Sequence, residues 1–83
     1  MSQERYGLRK NDESGEYHIY RQVKKLDNKC YYKEEISICK TIDFSESTEI
    51  HTACLNEEQA RIQYAEMGRK ICANCIQDLY KNT

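Results

Sequence analysis

Residues 51–75 read HTACLNEEQARIQYAEMGRKICANC, and this stretch decides the fold. It opens on His51-x2-Cys54 and closes on Cys72-x2-Cys75, two short pairs separated by seventeen residues. An x2 gap lets two side chains on one tight turn reach the same ion, and the longer gap suits one hairpin or short helix that returns the chain to it. The layout is that of a four-ligand structural zinc site with histidine in place of one cysteine. Ala53 and Ala73 leave room inside each pair for the backbone to fold around the ion. Cys39, separated from Cys54 by fourteen residues, is the alternative to His51 as the fourth ligand. Cys30 reads as an ordinary buried thiol, and His18, between Tyr17 and Ile19, as a strand-surface residue.

Between the pairs the pattern is helical. Asn56 is placed to cap a helix, with Gln59 at the capping-box position and Glu57 and Glu58 in the first turn, where they favour the helix dipole. Ala60, Tyr64 and Met67 form one stripe, and Gly68 is a natural stop. A second helix is predicted from near Cys72 to Lys81, with Cys72, Ile76, Leu79 and Tyr80 facing inward. Its N-terminal N–H groups would stabilise thiolate charge at the second pair.

Upstream the period is two. Residues 16–25 are predicted as a strand, with Tyr17, Ile19 and Val23 on one face and His18, Tyr20 and Gln22 on the other. Asp27-Asn28 supplies a turn, and residues 30–38 return as a second strand whose alternation reaches Ile42 and Phe44. DFSESTE, 43–49, reads as an exposed acidic connection. Residues 1–15 carry Tyr6 and Leu8 as their only internal large apolar residues and read as a flexible segment. The expected organisation is therefore a single α+β zinc-binding domain over 16–83: a β-hairpin or meander at 16–44, then two short helices around a zinc-finger-like site at 51–83.

Composition agrees with a metal staple. The chain has 83 residues, 39% hydrophobic and 33% charged, with no tryptophan, so its core is thin. Domains of this size gain stability from a metal, a disulfide or a partner. Five cysteines fit a secreted disulfide framework poorly because one is left over, and any disulfide would mainly involve Cys30 and Cys39. The first fifteen residues lack the apolar core of a signal peptide, and no apolar run approaches the ~20 residues of a membrane span. The chain reads as cytoplasmic, where thiols stay reduced and cysteine pairs more often hold metal. Net charge is −1, but residues 18–33 carry five cations against Asp27 alone, and residues 34–58 carry seven acids against Lys40 alone.

The segment ACLNEEQARIQYAEMGRKICANC resembles the C-terminal zinc finger of the TraR/DksA family. The resemblance lies in Cys54, Asn56, Arg61, Ala65, Gly68, Cys72 and Cys75 and covers residues 51–76. His51 stands where that family has a cysteine, the connector has no proline, and the N-terminal half reads as strands where the family has helix. The resemblance implies a zinc module that binds RNA polymerase, or a similar assembly, directly rather than through DNA.

These readings predict a small regulatory protein that works by protein–protein interaction, in transcription and in a bacterial or phage setting, with structural Zn2+ and no catalysis. No acid/base pair or nucleophile constellation is legible. The alternative is a nucleic-acid-binding module using Tyr20, Arg21, Lys24, Lys25, Lys29, Tyr31 and Lys33, a mix suited to phosphate contact and base stacking. The same residues would serve a protein partner, and a homodimer through the hairpin edge is a further expectation.

Overall fold

A computed structural model describes residues 3–81. Four strands form one antiparallel sheet: β1 (Gln3–Lys10), β2 (Tyr17–Lys24), β3 (Cys30–Tyr32) and β4 (Glu49–Leu55), in the spatial order β3-β2-β1-β4. Two helices follow, α1 (Glu57–Met67) and α2 (Ala73–Lys81), joined by a 3-10 turn at Gly68–Lys70. The α+β class expected from the two periodicities is the one observed. Among the described residues no helix is long and apolar enough to cross a membrane.

The N-terminal segment departs from its reading as a flexible tail. Residues 3–10 are β1, hydrogen-bonded to β2 along their full length and to β4 on the other side. The two apolar residues singled out there, Tyr6 and Leu8, are buried and join the core with Ile19, Ile38, Ala60, Tyr64, Ile71 and Leu79. Alternation explains this: two inward side chains spaced by two are enough for a strand whose partners supply the rest. Residues 1–2 and 82–83, included in the expected segment boundaries, lie outside the described residues.

The sheet is curled. β3 and β4 are its two edges, yet Cys30 and Cys54 sit with Cα atoms 5.7 Å apart and form a disulfide that closes them on each other. The curl passes over Gly7. The register of β1 against β4 slips there, leaving Ala53 and Cys54 opposite one residue, and Cys54 takes a left-handed φ of 62°. The Gln22 side chain lies across Gly7 and accepts the Cys54 N–H at 2.8 Å. A Cβ at Gly7 would stand 2.7 Å from Gln22 Oε1 and 3.2 Å from the Thr52 carbonyl, so the close approach requires glycine.

The second predicted strand is shorter than its alternation suggests, ending at Tyr32. Residues 33–47 then fold over the face of β2 that carries His18, Tyr20 and Gln22, all of which are buried. Beneath this cover Arg9 stands over the rings of Phe44, Tyr32 and Tyr20, at 4.0, 5.5 and 5.8 Å from their centroids, and its Nε donates to the Ser47 carbonyl. Residues 43–49, read as an exposed loop, contain a 3-10 turn at Phe44–Glu46 and the buried Ser47, which hydrogen-bonds Tyr20 Oη.

Because β3 pairs only with residues 22–24, the rest of β2's outer edge needs other partners. Ile38 N–H donates to the Ile19 carbonyl at 2.8 Å, and Cys72 N–H donates to the Tyr17 carbonyl at 2.8 Å. The Ile19 N–H goes to a sulfur, Cys75 Sγ, at 3.4 Å. Two further segments, the one carrying Ile38 and the start of α2, thus join β3 on one strand edge.

Candidate metal centre

That convergence assembles His18, Cys39, Cys72 and Cys75, whose donor atoms all lie within 4.8 Å of one another. His18 Nδ1 is 3.7 Å from both Cys39 Sγ and Cys75 Sγ. Zn–S bonds of about 2.3 Å and Zn–N bonds of about 2.0 Å at tetrahedral angles place donors ~3.5–3.8 Å apart, so these four need little movement to hold one ion. His18, Cys72 and Cys75 are buried, while Cys39 is partly exposed.

Each donor is positioned by local structure. Cys72 is the residue before α2, and its sulfur accepts the N–H groups of Asn74 and Cys75. Helix capping and thiolate stabilisation are here the same contact. Cys75 follows on the first turn of α2, aimed at the Ile19 N–H. Cys39 sits in a tight turn closed by Ser37 N–H to the Ile42 carbonyl and Lys40 N–H to the Ser37 carbonyl, with Lys40 at a left-handed φ of 66°. Its sulfur lies 3.1 Å from Ser37 Oγ and 3.0 Å from Thr41 Oγ1. His18 turns its other ring nitrogen, Nε2, to Glu16 Oε1 at 3.3 Å. A carboxylate behind the imidazole orients the ring so that Nδ1 faces the sulfurs.

The thiols are not equivalent. Burial pushes the Cys39 thiol up, but the Ser37 and Thr41 hydroxyls, His18 and the Thr41 N–H together outweigh it and bring it down to about 6. Burial pushes Cys75 far up against the single Ile19 N–H, and charge on Cys39 pushes the same way. Burial also raises Cys72, more than its two helix N–H bonds lower it. Of the three thiols, Cys39 is therefore the one most readily ionised. Three crowded sulfurs beside an imidazole are a donor set that a divalent cation would relieve.

The structure brings together Cys72 and Cys75 from the sequence-derived set, with Cys39, the alternative fourth ligand. It does not bring His51 and Cys54 to them. Both lie on β4, where an x2 spacing sends side chains to opposite faces instead of to one point. The exposed His51 ring packs edge-on against Tyr17 at 5.0 Å, and Cys54 is bonded to Cys30. Cys30, expected as a free buried thiol, is the other half of that disulfide.

His18 lies on a strand face whose alternation resembles a solvated one, and the aperiodic segment 33–47 covers it. The available signal was Ser37-x-Cys39-x-Thr41, a cysteine between two hydroxyls that can bond a thiolate.

Of the hairpin residues expected to touch a partner, Tyr20 is fully buried. Arg21 and Lys24 are half-buried, and Lys25, Lys29, Tyr31 and Lys33 are exposed. Tyr31 Oη donates to Asp27, Lys25 lies 4.7 Å from the Tyr31 centroid, and Lys33 pairs with Glu4 at 3.0 Å. No protein-family model, curated protein sequence or solved structure gives a significant match to this chain.

Proposed function

We propose that the chain is a small zinc-stapled binding module in which His18, Cys39, Cys72 and Cys75 hold one structural Zn2+. The observation that carries this reading is the donor set: three sulfurs and one imidazole nitrogen within 4.8 Å, the Cys3His complement of closed structural sites. Thiolate donors select soft or borderline ions such as zinc over magnesium or calcium. With four protein ligands no coordination position is left for substrate, which favours a stapling role over catalysis. The ion would tie β2, the 37–42 turn and α2 into one unit.

Function then resides in surfaces that this unit holds in place, and we take the partner to be another protein, with RNA polymerase the first candidate from the sequence resemblance. Leu26, 91% exposed on the β2–β3 turn beside Lys25, and Ile62 on α1 are apolar groups available to it. Native mass spectrometry of the reduced protein tests the metal: one zinc per chain is expected, released by a chelator with a loss of stability. A metal-free protein that is folded and takes up no zinc would sink the reading. Retention of RNA polymerase on immobilised zinc-loaded protein, absent with the chelated protein, tests the partner.

A further inference from the structure

An open cleft of about 470 Å³ is lined by Lys10, Ser14, Gly15, Glu16, Tyr17, Arg69 and Lys70, with Glu16 linking it to His18 of the metal centre. Three cations meet there in a protein whose net charge is −1. Arg69 and Lys70 are exposed and have no side-chain partner among the described residues. Lys10 stands 4.0 Å from Glu49, at the limit of an ion pair. The one carboxylate in the wall, Glu16, is turned to His18 Nε2. Ser14 Oγ accepts the Glu16 N–H at 3.2 Å and so keeps its own proton to donate.

The fold builds this cleft from distant parts of the chain. Lys10 ends β1, Gly15 turns the β1–β2 hairpin with a φ of 76°, and Arg69 and Lys70 come from the 3-10 turn after α1. The parallel bridge between Tyr17 and Ile71 holds the two walls together. Lys10, Arg69 and Lys70 outnumber the one carboxylate in the wall, and a bound anion relieves the repulsion left among them.

We infer that this cleft binds the phosphate group of a phosphate ester. A multiply charged tetrahedral anion matches two ammonium groups and a planar guanidinium, where a single carboxylate would answer only one of them. The cleft is open to solvent and larger than a bare ion needs, so the ester's organic part has room to extend outward. That group can come from a free nucleotide or from a nucleic-acid strand. The inference is independent of which metal the neighbouring site holds.

The test is a titration of the 15N-labelled, zinc-loaded full chain at constant ionic strength, followed by amide NMR shifts. The probes are inorganic phosphate, a nucleoside monophosphate and a short single-stranded oligonucleotide, with sodium chloride as control. Saturable shifts centred on Gly15, Tyr17, Arg69 and Lys70 are expected with phosphate. Tighter binding of the monophosphate assigns a free ester, and tighter binding of the oligonucleotide assigns a strand. Replacing both Arg69→Ala and Lys70→Ala, two exposed residues, should weaken binding about ten-fold or more while zinc content and the remaining spectrum stay unchanged. Shifts that do not saturate, that chloride reproduces, or that persist unweakened in the double variant would overturn the proposal.

Discussion

His18→Ala separates the metal centre described above from the one the sequence spacing suggests. His18 is 3% exposed, its Nδ1 lies 3.7 Å from two sulfurs, and its Nε2 faces Glu16. Structural zinc is bound with about 10–16 kcal/mol of apparent free energy near neutral pH, so equal division among four ligands assigns ~2.5–4 kcal/mol to each. Loss of the imidazole should therefore weaken zinc binding by about two to three powers of ten. Glu16→Gln, which keeps the side chain but weakens its hold on Nε2, should cost about ten- to a hundred-fold, as carboxylates behind metal-bound histidines generally do. His51→Ala should leave zinc affinity unchanged, because that ring packs against Tyr17 and is not among the clustered donors. The assay is competition with a chromophoric chelator, paired with cobalt substitution, whose thiolate charge-transfer bands report three sulfurs independently of stability. If His18→Ala holds zinc as tightly as the parent, or His51→Ala does not, the assignment of this site is refuted.

The remaining predictions address the rest of the fold. Cys30→Ser with Cys54→Ser opens a loop of sequence separation 24, and chain entropy puts the loss at about 3 kcal/mol, read as a lower urea midpoint with zinc stoichiometry intact. Alkylation of the native protein should label no more than three thiols, since Cys39, Cys72 and Cys75 alone are free. Gly7→Ala should cost about 1–3 kcal/mol, because its Cβ meets Gln22 and the Thr52 carbonyl, and the loss should shrink when combined with Gln22→Ala. The metal-free protein should lose stability as pH rises above about 9. Burial raises the Cys75 thiol above its ordinary 9.0 in the folded state, so that contribution is complete below 9 and fades above it. The zinc-loaded protein should show the opposite slope: loading displaces protons from Cys72 and Cys75, so affinity falls as pH falls, by up to about a hundred-fold per unit if both protons are released. Urea titrations of both forms across pH separate the two trends.

The helical half was legible because its signals are local. Asn56 and Gln59 form the capping box reciprocally, at 2.8 and 3.1 Å, and Gly68 ends α1 with a φ of 59°. Cys72-x2-Cys75 at the start of a helix likewise needs no distant information. Tyr80 departs from its expected inward position and is exposed, beneath the guanidinium of Arg61. What escaped was set by pairing across the chain. β1 reads as polar because its second face is filled by Arg9 against aromatic rings that arrive from residues 20, 32 and 44. The x2 rule for chelating pairs assumes a turn, and at His51-x2-Cys54 the chain is a strand. Cys39 and His18 are 21 residues apart, and only the cover formed by 33–47 makes them neighbours.

The Ile19 N–H that ends on Cys75 sulfur has a consequence for association. An unpaired strand edge is a template for another chain, and native proteins usually blunt it with charge, proline or a bulge. β2 instead relies on the 37–42 turn and the start of α2, both anchored at the candidate centre. Withdrawal of the ion would loosen that cover and bare the backbone of residues 17–21 to a second molecule. The first sign of metal starvation in this protein should then be aggregation through strand addition, ahead of any loss of helix.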